Sequence, residues 1–308
     1  MKDGTEAYER GDFATALQEF QHLAEQGNAN AQYNLGLMHA NGQGTALDFA
    51  AAAKWYHKAG EQDIARAQYN LAVLYGGGQG VKQDQGEAAK WYSKAAQLGH
   101  AGAQYNLALL YRGGQGVPQD HGEAARWARK GAEQGHANAQ YYLGLMLING
   151  QGVPQDAAEA AKWNRKAAEQ GSLHAQHGLG FMFHNGLGVS QDHAEAVRWY
   201  RRAAEQGHAS AQSNLGAMYS RGLGVEADPV EAHKWFTLAA ASEPDAATRA
   251  TATRHRDAAE KTMTRQQVTK ASQQASAWQR RSWAEVQDME RTASAKRGGR
   301  KPRKTPAK

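Results

Sequence analysis

Three kinds of residue in this sequence could do chemistry. Of the 13 histidines, His174, His177, His184 and His193 crowd one short stretch. His174 and His177 stand three residues apart, an offset that lets one helical face offer two metal ligands. A tight site needs another ligand at about 2.1 Å from the metal, and His184 falls two helical turns further on. No H-E-x-x-H occurs, and His121-x-Glu123 has no cysteine ligands to complete it. Carboxylates recur in pairs as Asp84/Glu87, Asp120/Glu123, Asp156/Glu159, Asp192/Glu195 and Asp228/Glu231. General acid–base work needs such a pair in one cleft that shifts its pKa values. A pair repeated at five second-helix starts, and missing only from the first repeat, where Asp48 is followed by Ala51, is accounted for by capping. Six Gly-x-Gly loops, from Gly42/Gly44 to Gly222/Gly224, would cradle phosphate only between a strand and a helix. Helical patterns flank all six. The expectation is therefore no catalytic, cofactor or metal residue and no enzyme.

What positions these residues is a repeat. An Ala-Gln pair opens at Ala31, Ala67, Ala103, Ala139, Ala175 and Ala211, each 36 residues after the last. Trp55, Trp91, Trp127, Trp163, Trp199 and Trp235 keep the same step, as do the six loops. Self-similarity at such a period marks a stacked-repeat architecture. One unit reads as two helices: Ala67, Leu71 and Leu74 lie on one face of the first. Gly78 ends that helix with a positive φ. Asp84 caps the second helix, and Glu87 completes an Asp-x-x-Glu capping box. Ala88, Trp91, Tyr92, Ala95 and Ala96 fall at three- and four-residue steps on it. Lys94 sits in the last turn, where the helix dipole favours a cation, and Gly99 closes it. No unit this small can bury its own apolar face, so the fold class is all-α: a right-handed α-solenoid of stacked helix-turn-helix repeats, six full units plus caps.

The pattern A-x-Y-x-L-G/A-x-x-Y-x-x-G-x-G-V-x-x-D-x-x-E-A-x-x-W-Y-x-x-A-A-x-x-G resembles the Sel1-like repeat family, relatives of the tetratricopeptide repeats. The resemblance covers residues 31–242. It implies a protein-interaction scaffold or adaptor of bacterial type. One disulfide-stapled branch of that family is linked to β-lactams, but a chain with no cysteine does not inherit that reading. Domain boundaries are expected at 1–30 (an N-terminal capping unit), 31–243 (six repeats), 244–291 (C-terminal capping helices) and 292–308 (a disordered basic tail). Thr264 and Gln267 predict another capping box in the third segment.

Composition limits partners and location. The 308 residues carry a net charge of +6. Lys296, Arg297, Arg300, Lys301, Arg303, Lys304 and Lys308 supply seven positive charges with no acid among them, so the rest of the chain is near neutral. That run, Lys296–Lys308, reads as a solvated tail. The alternative is a nucleic-acid-associated protein, or one touching anionic surfaces, in which the tail binds phosphates and the solenoid recruits partners. No apolar run spans a membrane. MKDGTEAYERGDF has no apolar core after Lys2, so the expected location is cytoplasmic, with export or a periplasmic location following if a signal peptide precedes this sequence.

The remaining candidate is a groove. With each Ala of Ala-Gln counted as position 0, positions 0, 4 and 7 face the core and positions 2, 6 and 9 point away. Position 2 holds Tyr33, Tyr69, Tyr105, Tyr141, His177 and Ser213, where His177 reads as a drifted surface residue. Position 6 is apolar, and position 9 varies, with Arg112, Ile148 and His184 among its members. An aromatic and apolar stripe beside a variable row is what a concave peptide-binding face shows. Tyr33, Tyr69, Tyr105, Arg112, Tyr141, Ile148, His177 and His184 are accordingly the expected partner contacts. The bland alternative buries positions 2 and 6 between adjacent first helices.

Overall fold

The structure, a computed structural model, describes residues 2–243 and 245–298. Among these it holds seventeen helices and no strand. Two compact units divide the chain, Met1–Asp156 and Ala157–Lys308.

The first unit opens with α1 (Lys2–Glu9) and α2 (Phe13–Glu25). Helix pairs follow: α3 (Ala29–Asn41) and α4 (Phe49–Gly60), α5 (Ala65–Gly77) and α6 (Gln85–Gln97), α7 (Ala101–Gly113) and α8 (His121–Glu133), then α9 (Ala137–Asn149). The second unit contains α10 (Ala157–Glu169), α11 (Leu173–Asn185), α12 (His193–Glu205), α13 (Ala209–Arg221) and α14 (Pro229–Ser242). It closes with α15 (Ala246–Glu260), α16 (Arg265–Ala277) and α17 (Trp283–Gly298). Within each unit every helix packs on its chain neighbour, apart from α16, which packs on α14, and α17, whose seat lies against α12 and α14. The cores are built from the small and large residues the spacing singles out. Ala67, Leu71, Ala88 and Ala95 are buried in the first unit, and Leu179, Trp199 and Trp235 in the second.

The joints between repeats explain two sequence signals. In the fourth Gly-x-Gly loop, Gly150 ends α9 at φ 65° and Gly152 follows at φ 71°. A Cβ on Gly150 would have its nearest neighbour at 3.7 Å, whereas one on Gly152 would stand 1.9 Å from the His121 carbonyl oxygen. The first glycine thus serves the turn, and the second also lets the loop meet the start of the preceding repeat's second helix. The glutamine of each Ala-Gln pair is buried, and its Nε2 donates to a carbonyl eight residues earlier. Gln32, Gln68, Gln104 and Gln140 reach Ala24, Gly60, Ala96 and Ala132 at 2.8–3.1 Å. These are last-turn carbonyls, which a helix cannot satisfy internally. Gln62 and Gln134 then donate to the Oε1 of Gln32 and Gln104, at 2.8 and 2.6 Å.

Two expectations change. The Asp residues cap as expected, with Asp84 and Asp120 accepting from the N–H three residues on at 3.0 Å, but the Glu does not complete the box. The Asp84 and Asp120 N–H groups already donate back across the loop to Tyr75 and Tyr111 carbonyls. Glu87 and Glu123 are left to pair with Lys90 and Arg126, and Glu231 receives the Trp235 indole N–H at 3.0 Å. Thr264 and Gln267, by contrast, form the full reciprocal box. At the C-terminus, the helix of α17 runs on past Thr292 to Gly298, beyond the point where the sequence reads as disordered. The rest of the basic run, 299–308, lies outside the described residues.

Candidate functional site

Each first helix begins two residues earlier than Ala-Gln suggests, and its cap is a residue the sequence reading did not assign. Asn28, His100 and His136 in the first unit, and Ser172 and His208 in the second, accept from the N–H three residues on. The histidines accept through Nδ1, which fixes them neutral with the proton on Nε2. Burial pushes the pKa of His100 and His136 down, in keeping with that state.

These caps receive the aromatic row. Tyr69 stacks on His100 with ring centroids 4.4 Å apart and meets Tyr92 on its other side at 5.7 Å. Tyr105 lies 5.3 Å from His136 and 6.2 Å from Tyr142. Tyr33 tilts onto Tyr56 at 6.0 Å. Burial raises the hydroxyl pKa of Tyr33, Tyr105 and Tyr141 and pushes Tyr92 up to about 12. In the second unit His177 takes the tyrosine's place, stacked on His208 at 4.8 Å and hydrogen-bonded to Asn214 at 3.0 Å. His177 is therefore a seam residue between repeats, not a drifted surface position. Position 2 is half-buried throughout.

The other two rows are more open in part. At position 6, Val73 and Phe181 are 38 % and 48 % exposed, a large fraction for apolar side chains. At position 9, Arg112 is exposed with its guanidinium 5.2 Å above the Tyr142 ring. Ile148 is half-buried. His184 is also half-buried, 5.0 Å from His193, and burial together with the nearby His193 and Arg221 pushes its pKa down.

The four crowded histidines thus separate. His174 and His177 gather around His208, with His174 Nδ1 3.3 Å from His208 Nε2, while His184 and His193 form a distinct pair. Among the described residues no three His, Cys, Asp or Glu side chains are placed to hold a metal ion. Asp84, Asp120, Asp192 and Asp228 are each spent on their own helix start.

With this geometry in view, the Sel1 repeat model matches residues 29–64, 65–100, 101–136, 137–172, 173–208 and 209–243. The chain belongs to the Sel1 repeat family. A Sel1 repeat protein from Oxalobacter formigenes is 33 % identical, over 77 % of this chain and 94 % of that one, with a TM-score of 0.68. A protective antigen of uropathogenic Escherichia coli, described as displaying an SLR fold, is 29 % identical, over 96 % and 77 % of the two chains, with a TM-score of 0.39. No curated protein matches. Sel1 proteins generally mediate protein–protein interaction, and their solenoid is typically a non-enzymatic scaffold.

The Sel1 second helices present a further surface that the sequence reading passed over. Lys58 lies 4.3 Å above the Trp55 ring, Lys94 4.1 Å above Trp91 and Arg202 4.2 Å above Trp199. The Trp-x-x-Lys/Arg spacing is visible in the sequence, where the helix dipole alone accounts for the cation. Hollows of about 620 Å³ beside α4 and 450 Å³ beside α6 adjoin these lysines. Among the described residues no helix is long and apolar enough to cross a membrane.

Proposed function

We propose that this Sel1 protein is a non-enzymatic interaction scaffold that binds a peptide or protein segment along its first-helix face. The observation that carries this reading is the exposure of Val73 and Phe181 beside rings already held in place. Tyr69 and His177 are locked by the cap histidines of the next repeat, so a ligand meets preorganised aromatic edges and little rotamer freedom is lost on binding. Arg112, Ile148 and His184 vary in charge and size at one repeat position, and specificity would come from that row.

The test is affinity capture of partners from a lysate with the full chain and with two variants, Val73→Glu/Arg112→Glu and Phe181→Glu/His184→Ala. Loss of the same captured protein from a variant whose helical circular dichroism is unchanged supports the reading. Capture unaffected by both variants overturns it.

A further inference from the structure

The second unit contains a helix already seated on the second-helix surface, and the repeat extends that surface to positions elsewhere in the chain. Residue α17 Val286 is fully buried, and Glu290 pairs with the Arg202 guanidinium through both oxygens, at 2.7 and 2.9 Å. Met289 and Ala293 line the same hollow with Arg198 and Tyr219. Val286, Met289, Glu290 and Ala293 stand at i, i+3, i+4 and i+7, one stripe of a helix. The segment leading into α17 is tied down separately. Arg281 and the Trp278 indole both engage the Glu205 carboxylate, and the Arg281 N–H donates to the Glu205 carbonyl at 2.9 Å.

Arg198, Arg202 and Tyr219 have counterparts in the first unit at whole multiples of the period. Lys54, Lys58 and Tyr75 line the hollow beside α4, and Lys90, Lys94 and Tyr111 the one beside α6. Lys58 and Lys94 hold the pose over tryptophan that Arg202 holds while it grips Glu290. Cation, aromatic wall and small-residue floor are thus repeated where no segment of the first unit lies across them.

We propose that the hollows beside α4 and α6 receive an amphipathic helix of a partner protein, one that carries apolar residues at i, i+3 and i+7 and a carboxylate at i+4, as α17 does. The apolar stripe would cover Trp55 and Val81 beside α4, or Leu107 and Val117 beside α6, and the carboxylate would pair with Lys58 or Lys94. A second copy's α17 is a poorer occupant, because leaving its own seat breaks the Glu290–Arg202 pair and uncovers Val286. This surface is distinct from the first-helix face, and the inference stands if that reading fails.

The probe is a fluorescein-labelled synthetic peptide of residues 282–298, titrated into the full chain and read by anisotropy. Saturable binding is expected, at least tenfold weaker to the Lys58→Glu/Lys94→Glu variant and unchanged in the Arg112→Glu variant. A peptide carrying Glu290→Lys should bind the native chain at least tenfold less and recover on Lys58→Glu/Lys94→Glu. Equal binding to native and doubly reversed chains, or binding lost only on Arg202→Glu, overturns the proposal, the latter because the peptide then merely exchanges with the chain's own α17. Concentration-dependent dimers in sedimentation that disappear with Arg202→Glu would assign the hollows to a second copy and also overturn it.

Discussion

Replacing Gly150 and Gly152 by alanine, one at a time, separates the two demands that the Gly-x-Gly loop makes. Both residues have φ near 70°, so each alanine meets the left-handed penalty, about 1–2 kcal/mol. Restricting the unfolded chain returns about 0.4–1 kcal/mol of that. For Gly150→Ala nothing further is charged, since the new methyl has its nearest neighbour at 3.7 Å, and a loss of about 1 kcal/mol is expected. For Gly152→Ala the methyl would stand 1.9 Å from the His121 carbonyl oxygen and 2.2 Å from its carbon, and backbone cannot rotate aside. Reaching ordinary contact near 3.4 Å requires the loop and the start of α8 to part by about 1.5 Å, which brings an overpacking cost of about 1–3 kcal/mol. The second substitution should therefore cost about 2 kcal/mol more than the first, roughly a thirtyfold difference in the folded-to-unfolded ratio. Urea unfolding followed by tryptophan fluorescence measures the difference. Because repeat arrays can open unit by unit, amide exchange in α8 and α9 should be followed alongside. Equal losses at the two glycines would refute the assignment of Gly152 to close approach between repeats.

Three further substitutions follow from the seams. Gln68 Oε1 is buried without a hydrogen-bond partner because position 98 holds a 48 % exposed leucine, where Gln62 and Gln134 serve the neighbouring repeats. Leu98→Gln should stabilise the chain by about 1 kcal/mol and raise Tm by about 2 °C in a thermal melt. Burial, together with the neighbouring histidines, pushes His177 and His208 down to about 4. Their folded pKa lies below the unfolded value of about 6.5, so the stabilisation is complete above pH 6.5 and is lost as pH falls toward 4. For this coupled and partly solvated pair the loss is about 2–3 kcal/mol, and His208→Asn, with the cap chemistry Asn28 uses, should flatten Tm against pH between 7 and 4.5. Glu205→Ala removes the acceptor of both Trp278 and Arg281 and should speed tryptic cleavage after Arg280 or Arg281 severalfold, with α12 still helical by circular dichroism.

The fold was legible because its main signals are local. Period, loop glycines, aspartate caps and the alanine–leucine faces all declare themselves within one unit, and each is satisfied by neighbours a few residues away. The seams were less legible because a polar side chain does not announce which carbonyl it will reach. Ala-Gln repeats as plainly as Trp does, yet only the packed structure shows Gln104 Nε2 on the Ala96 carbonyl. The capping histidines fell outside the assumed helix start by a single turn, which left His100 without a role and made Tyr69 look more exposed than it is. The Glu of the supposed capping box was misassigned because the loop had already claimed the Asp84 N–H.

The seating of α17 was invisible for a different reason. Glu290 and Arg202 are 88 residues apart, and nothing in either local pattern selects the other. An ordinary amphipathic stripe in α17 and a cation at a helix end are each fully explained alone. Their pairing nevertheless has a consequence elsewhere in the chain, since identical spacing makes α4 and α6 variants of the same cradle. Arg202 differs from Lys58 and Lys94 in offering a planar fork that takes both Glu290 oxygens. A lysine holds a carboxylate through a point charge with weaker geometric demand. The chain's own helix should therefore prefer the arginine seat, which leaves the lysine cradles to ligands that exchange more readily. Arg202→Lys tests this preference: it should raise amide exchange in α17 severalfold while leaving α12 and α13 protected. Unchanged protection in α17 would mean that Val286 and the Glu205 ties hold the helix without help from the ion pair.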